Sequence, residues 1–111
     1  MTIESLKSFG VDTQTGLSRC MGNEDFYLSL VKTALEDQTF SNLAAAIAQN
    51  NLNTAFELAH ALKGVFGNIA ITPVYEPLCE LTELLRNKEK ADYSSYINKI
   101  SNNLNELKQQ L

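Results

Sequence analysis

The chain has 111 residues and a formal net charge of −4, with 44% hydrophobic and 20% charged residues, the balance of one globular domain rather than a disordered tail. The acidic balance argues against a general nucleic-acid binder, which needs a basic stripe, and no apolar run approaches the roughly 18 residues of a membrane span. No charged segment leads into an apolar core at the start, so no signal peptide is expected; Cys20 and Cys79, isolated and without metal-type spacing, read as free thiols of a reducing, cytoplasmic compartment.

Helical periodicity dominates, and no alternating strand pattern of useful length interrupts it. Thr2 to Ser8 and Asp12 to Cys20 read as two short helices, punctuated by Gly10 and Gly22. Asn23 is a good N-cap, followed by Glu24 and Asp25 where the helix dipole favours acids. Phe26, Leu30, Val31 and Leu35 then form an apolar stripe to about residue 37. Thr39 is the cap expected for a segment holding Leu43, Ala46 and Ile47, which stops at the polar turn Gln49-Asn50-Asn51. Asn51 caps the next helix, whose inward stripe is Leu52, Ala55, Ala59, Leu62, Phe66 and Ile69. Thr72-Pro73 reads as a cap followed by proline at the first helical position, with Val74, Leu78, Leu81 and Leu85 continuing to Asn87. Pro77 predicts either a kink in that helix or a later start. The last helix is expected from about Lys90 to Gln110, with Tyr93, Ile97, Ile100, Leu104 and Leu107 inward and Tyr96 at the boundary. Arg86 to Lys90 reads as a solvated turn. Long helices joined by short polar turns make antiparallel neighbours the default. The predicted architecture is therefore an all-α, up-down antiparallel four-helix bundle forming a single domain over 1–111, with the short N-terminal segments covering one end.

His60 is the only histidine, and it faces away from its helix's inward stripe. At about 100° per residue, Gly64 lies about 40° from it, Gly67 about 20°, and Lys63 about 60° to the other side. Each interior glycine costs a helix about 1 kcal/mol relative to alanine. The pattern therefore predicts a bare strip of backbone that lets a bulky partner approach the ring, with an ammonium beside it. An imidazole nitrogen is available as a nucleophile near neutral pH, and an ammonium holds a phosphate oxygen as a point charge. Phe56, one turn earlier and about 40° off, reads equally as a half-buried boundary residue or as an apolar rim for docking. Glu57 and His60 form a Glu-x-x-His pair, but a di-metal carboxylate site needs a second such pair. The chain has no second histidine, so no metal site is predicted and Glu57 reads as a solvated neighbour.

The run His60-Ala61-Leu62-Lys63-Gly64, with Gly67 and Asn68 after it, resembles the H-x-x-K-G signature of histidine-containing phosphotransfer (HPt) domains. Ala59 and Asn68-Ile69 fit the same pattern. The resemblance extends upstream to Gly10-Val11-Asp12, Gly16-Leu17-Ser18-Arg19 and Asn23-Glu24-Asp25-Phe26-Tyr27, and so covers most of the chain. It implies a four-helix bundle with an exposed phosphoaccepting histidine, which shuttles phosphoryl groups between receiver aspartates in multistep two-component signalling. By that resemblance His60 is the phosphoacceptor, Lys63 compensates phosphate charge, and Gly64, Gly67 and Asn68 belong to the docking face, to which Phe56 is a candidate addition from its helical angle. Family members often place a polar side chain on the following helix near the histidine, for which Thr82 and Glu83 are the candidates. Two features depart from the pattern: the Ile71-Thr72-Pro73 start with Pro77, and Phe66, larger than the small residue common there but on the core side.

No glycine-rich phosphate loop follows a strand, and no Asp or Asn set for magnesium occurs. The expected role is thus a phosphocarrier without an ATP site or cofactor of its own, the Mg²⁺ lying on the partner receiver. Its expected partners are receiver domains of response regulators or hybrid histidine kinases, with no nucleic acid and no membrane, and the chain is expected to be a monomer. The alternative is a helical interaction module that docks a receiver or kinase without taking phosphate; a structural subunit with an incidental histidine is a weaker rival.

Overall fold

The computed structural model describes residues 1–88 and 91–111. Among these, all regular structure is helical: α1 (Ile3–Ser8), α2 (Thr13–Arg19), α3 (Glu24–Glu36), α4 (Thr39–Ala48), α5 (Leu52–Asn68), α6 (Thr72–Arg86) and α7 (Tyr93–Lys108). Helices α1, α2, α3 and α5 start where short polar side chains take the first free backbone N–H groups. Thr2 Oγ1 accepts from Ser5 N at 3.0 Å, Asp12 Oδ1 from Thr15 N at 3.1 Å, Asn23 Oδ1 from Phe26 N at 3.0 Å and Asn51 Oδ1 from Thr54 N at 3.3 Å. The hydroxyl and then the amide of Thr15 hold the Asp12 carboxyl below its ordinary value. Thr39 differs from expectation: it is the first helical residue, and Asp37 accepts its N–H at 2.7 Å.

Helix α5 packs against α4 and α6, α6 against α7, and α7 against α3. Only residues 49–51 separate α4 from α5, and only 69–71 separate α5 from α6, so consecutive helices must reverse direction to pack on each other. This is the helical bundle the periodicity predicts. Its core is drawn from every long helix, with Val31, Leu35, Leu43, Ala59, Phe66, Leu78, Leu81, Ile100 and Leu107 all buried. Helix α1 is tied to the end of α7 by Ser5 Oγ, which donates to Gln110 Oε1 at 2.7 Å. The short helices thus meet the end of the bundle where α5 and α7 finish.

Three details of the sequence reading are corrected. On α3 the inward aromatic is Tyr27, fully buried, while its neighbour Phe26 is 50% exposed; Val31 and Leu35 of the expected stripe are buried. Helix α7 begins at Tyr93 after Asp92, not near Lys90; Glu89 and Lys90, part of the predicted turn, lie outside the described residues. Pro77 does not delay α6, which runs unbroken from Thr72 with Pro73 in its first turn. A proline at position 77 leaves the carbonyl four residues earlier, that of Pro73, without its helical donor. Asn103 of α7 supplies the replacement: its Nδ2 donates to Pro73 O at 2.8 Å. A cross-helix amide thus stands in for the missing backbone bond, which is why a buried proline is tolerated inside a core helix.

Candidate functional site

His60 lies in the middle of α5 and is exposed, one residue past Ala59, which with Ala55 marks the buried face of the helix. Among the described residues neither ring nitrogen has a hydrogen-bond partner. The ring is held instead by stacking on Phe56, one turn earlier, with centroids 5.9 Å apart and planes 12° from parallel, an offset arrangement of the kind aromatic pairs favour. Phe56 is half-buried, and its ring carries the Arg86 guanidinium at 5.2 Å from the centroid, within cation–π range. Arg86 in turn pairs with Glu83 at 3.4 Å. A chain of contacts therefore runs from α6 across to the imidazole: Glu83, Arg86, Phe56, His60.

This cluster revises two expectations. Thr82 is fully buried, and its hydroxyl donates to Leu78 O at 2.6 Å, so it is bound within its own helix and absent from the surface on which His60 stands. Glu83 reaches His60 only through Arg86 and Phe56. Arg86 was read as part of a solvated turn, yet it is the last residue of α6 and lies over the aromatic that flanks the histidine. No periodicity within α5 or α6 signals a contact between them at that point, so the sequence alone does not reveal it.

The two glycines beyond His60 turn out to be unlike. A Cβ at Gly64 would meet nothing within 4 Å, which fits a bare surface beside the ring. A Cβ at Gly67 would come within 2.7 Å of Tyr75 Cε1. Packing against α6 therefore explains Gly67, which is covered rather than open. The open strip shrinks to Gly64, with Lys63 partly buried at its flank.

The C-terminal end of α5 is held from several sides. Arg19 Nη1, from α2, donates to Gly67 O at 2.7 Å and Asn68 O at 3.0 Å, placing a cation where the helix dipole is negative and carbonyls lack partners. Tyr27 Oη donates to Ile69 O at 2.8 Å in the interior, and burial pushes its phenol up to about 12. Gly16 makes room for that ring, since a Cβ there would sit 2.3 Å from Tyr27 Cε1. Ala70 then turns the chain with φ of 58°, while Ile71 N bonds Phe66 O at 2.9 Å and Ala70 N bonds Gly67 O at 3.2 Å, the two bonds of a Schellman close. Asn68 is exposed and contributes its carbonyl to this clamp.

On the other flank of α5 lies a groove of about 390 Å³, with Leu30 and Ala34 of α3 facing Ala61 and Val65 of α5. Val65 is 46% exposed. Among the described residues no group of three or more His, Cys, Asp or Glu side chains could hold a metal ion, and no helix is long and apolar enough to cross a membrane. Cys20 and Cys79 are both free thiols.

Compared with known protein families, the chain matches the model of the Hpt domain over residues 28–110, well over half its length and including His60, Lys63 and Gly64. No curated protein and no solved structure matches it.

Proposed function

The chain belongs to the Hpt domain family, whose members are phosphocarriers of two-component phosphorelays rather than ATP-binding enzymes, and on that premise we propose that His60 accepts a phosphoryl group from the phosphoaspartate of one receiver domain and passes it to another. The observation that carries this reading is the isolation of the His60 imidazole: exposed, without a hydrogen bond at either nitrogen among the described residues, and next to the empty space over Gly64. A histidine kept for structure would use its nitrogens; a nucleophile must present one of them.

In this transfer a His60 ring nitrogen attacks the phosphorus in line. The N–P bond forms as the bond to the aspartate oxygen breaks, and the carboxylate leaves with that electron pair. Charge spreads over the three equatorial oxygens, and in this reading the ammonium of Lys63, one turn along from His60, offsets part of it. The stacked Phe56 limits the ring's rotation, so part of the orientation that the transition state needs is present beforehand. The chain requires no cofactor of its own in this reading; the Mg²⁺ of the reaction belongs to the receiver.

The test is direct. Incubation with a phosphorylated receiver domain should place acid-labile, base-stable phosphate on the protein. His60→Gln should take up none while melting within a few degrees of the parent, because an exposed side chain adds little stability. Label retained in that variant would move the acceptor elsewhere, and a domain that binds a receiver without ever taking label would be a docking module instead.

A further inference from the structure

Among the described residues, two cations of this acidic chain line one hollow and neither forms an ion pair with a carboxylate, although the Asp12 carboxyl feels the charge of Arg19 from farther off. The hollow, of about 270 Å³, is lined by Arg19, Lys63, Gly64, Gly67, Asn68 and Tyr75. The sequence holds 13 acidic residues against nine Lys and Arg, yet the ion pair found among the described residues is that of Arg86 with Glu83. No acid lines the hollow. Arg19 uses one nitrogen, Nη1, on the carbonyls of Gly67 and Asn68. A guanidinium carries five N–H donors in a fixed fork, and Nε and Nη2 have no partner among the described residues. Its bond to the end of α5 therefore fixes the group in place and leaves the rest of the fork unused.

We infer that this hollow is a carboxylate-recognition site for the docking partner: a surface Asp or Glu of the receiver that meets His60 seats between Arg19 and Lys63. The inference rests on the phosphotransfer reading. Gly64 and Lys63 belong both to the surroundings of His60 and to the hollow, so a domain lying over the imidazole also lies over the hollow. A planar fork with free donors suits a carboxylate, and a second cation opposite strengthens the attraction. Arg19 lies on α2, so this recognition element is contributed by the short N-terminal helices. Charge pairs of this kind act mainly on encounter and selectivity.

The test uses the full chain and the receiver found in the transfer experiment, unphosphorylated, with calorimetric binding at two ionic strengths. Arg19→Gln should weaken binding about tenfold and flatten its salt dependence. Arg19→Lys, which keeps the charge without the fork, should retain only part of the affinity, and Arg19→Glu should lose more than Arg19→Gln. The transfer rate at saturating receiver should stay near the parent's in Arg19→Gln. An Asp→Lys or Glu→Lys substitution on the receiver should restore binding to Arg19→Glu alone. A lower melting temperature with unchanged affinity would reduce Arg19 to a helix cap and overturn the inference. A lower saturated rate with unchanged affinity would place the guanidinium on the phosphoryl group, and would overturn it too. If no receiver binds the parent, the phosphotransfer reading fails first.

Discussion

The middle of α5 and its C-terminal end are built on opposite principles. Around His60 and Gly64 the helix is bare: among the described residues no hydrogen bond reaches the imidazole, and no atom stands within 4 Å of where a Gly64 Cβ would go. Seven residues on, at Gly67 to Ile69, the backbone is covered by Tyr75, bonded by Arg19 and bonded again by the buried Tyr27 hydroxyl. The difference shows how a reactive side chain can be exposed without being loose. The helix is anchored beyond the site, and the ring itself is steadied by a stack from Phe56 instead of a polar bond that would occupy a nitrogen. The same residue type, glycine, stands in both regions in opposite settings: at Gly67 it lets an aromatic ring in, and at Gly64 the space beyond it is open among the described residues.

The contrast breaks most visibly at Gly64. Gly64→Gln should fold normally yet slow phosphoryl transfer about 100-fold, the scale expected when the reacting groups are held roughly an ångström out of place. Single-turnover transfer from a phosphorylated receiver measures it, and a rate equal to the parent's would end the case for a docking surface there. Gly64→Ala, with a small methyl in open space, should raise stability by about 1 kcal/mol.

At the anchored end the expected effects are on stability. Gly16→Ala drives a methyl into the buried Tyr27 ring and should cost about 1–3 kcal/mol, read as a fall in urea midpoint with an unchanged slope. Parent-like stability would mean that the ring has room the structure does not show. Gly67→Ala should bring none of the gain seen at Gly64, since the methyl must displace the Tyr75 ring. In a Tyr75→Ala background the same change should recover about 1 kcal/mol. Equal responses of the two glycines in the parent would erase the distinction drawn here.

The smallest effect is a pH dependence. The Tyr27 phenol is raised in the folded state from its ordinary value of 10.0 to about 12. A group raised on folding contributes stability that is complete below its unfolded value and is lost as pH rises through the folded one. Stability should therefore decline between about pH 10 and pH 12, and Tyr27→Phe should flatten that decline in chemical denaturation. At neutral pH the same variant should lose about 1–2 kcal/mol, because Ile69 O is left without its buried donor.

By itself the sequence determined the helices, the caps Asn23 and Asn51 and the identity of the exposed histidine, because those depend on interactions within one or two turns; Thr39 and Thr72, expected as caps, are instead the first residues of their helices. Asn51 and the stripe through Ala55, Ala59, Leu62 and Phe66 fix which way α5 faces, and that alone turns His60 outward. The tertiary structure decided everything that depends on a neighbour at long separation in the chain. It put Tyr75 over Gly67, buried Thr82 while bringing Arg86 to Phe56, and let Asn103 replace the bond that Pro77 removes. Helical angles place residues around one axis, so they could say that Gly64 and Gly67 share a face with His60. They could not say that α6 lies against one of them and leaves the other open, because that is set by how two side-chain surfaces fit together.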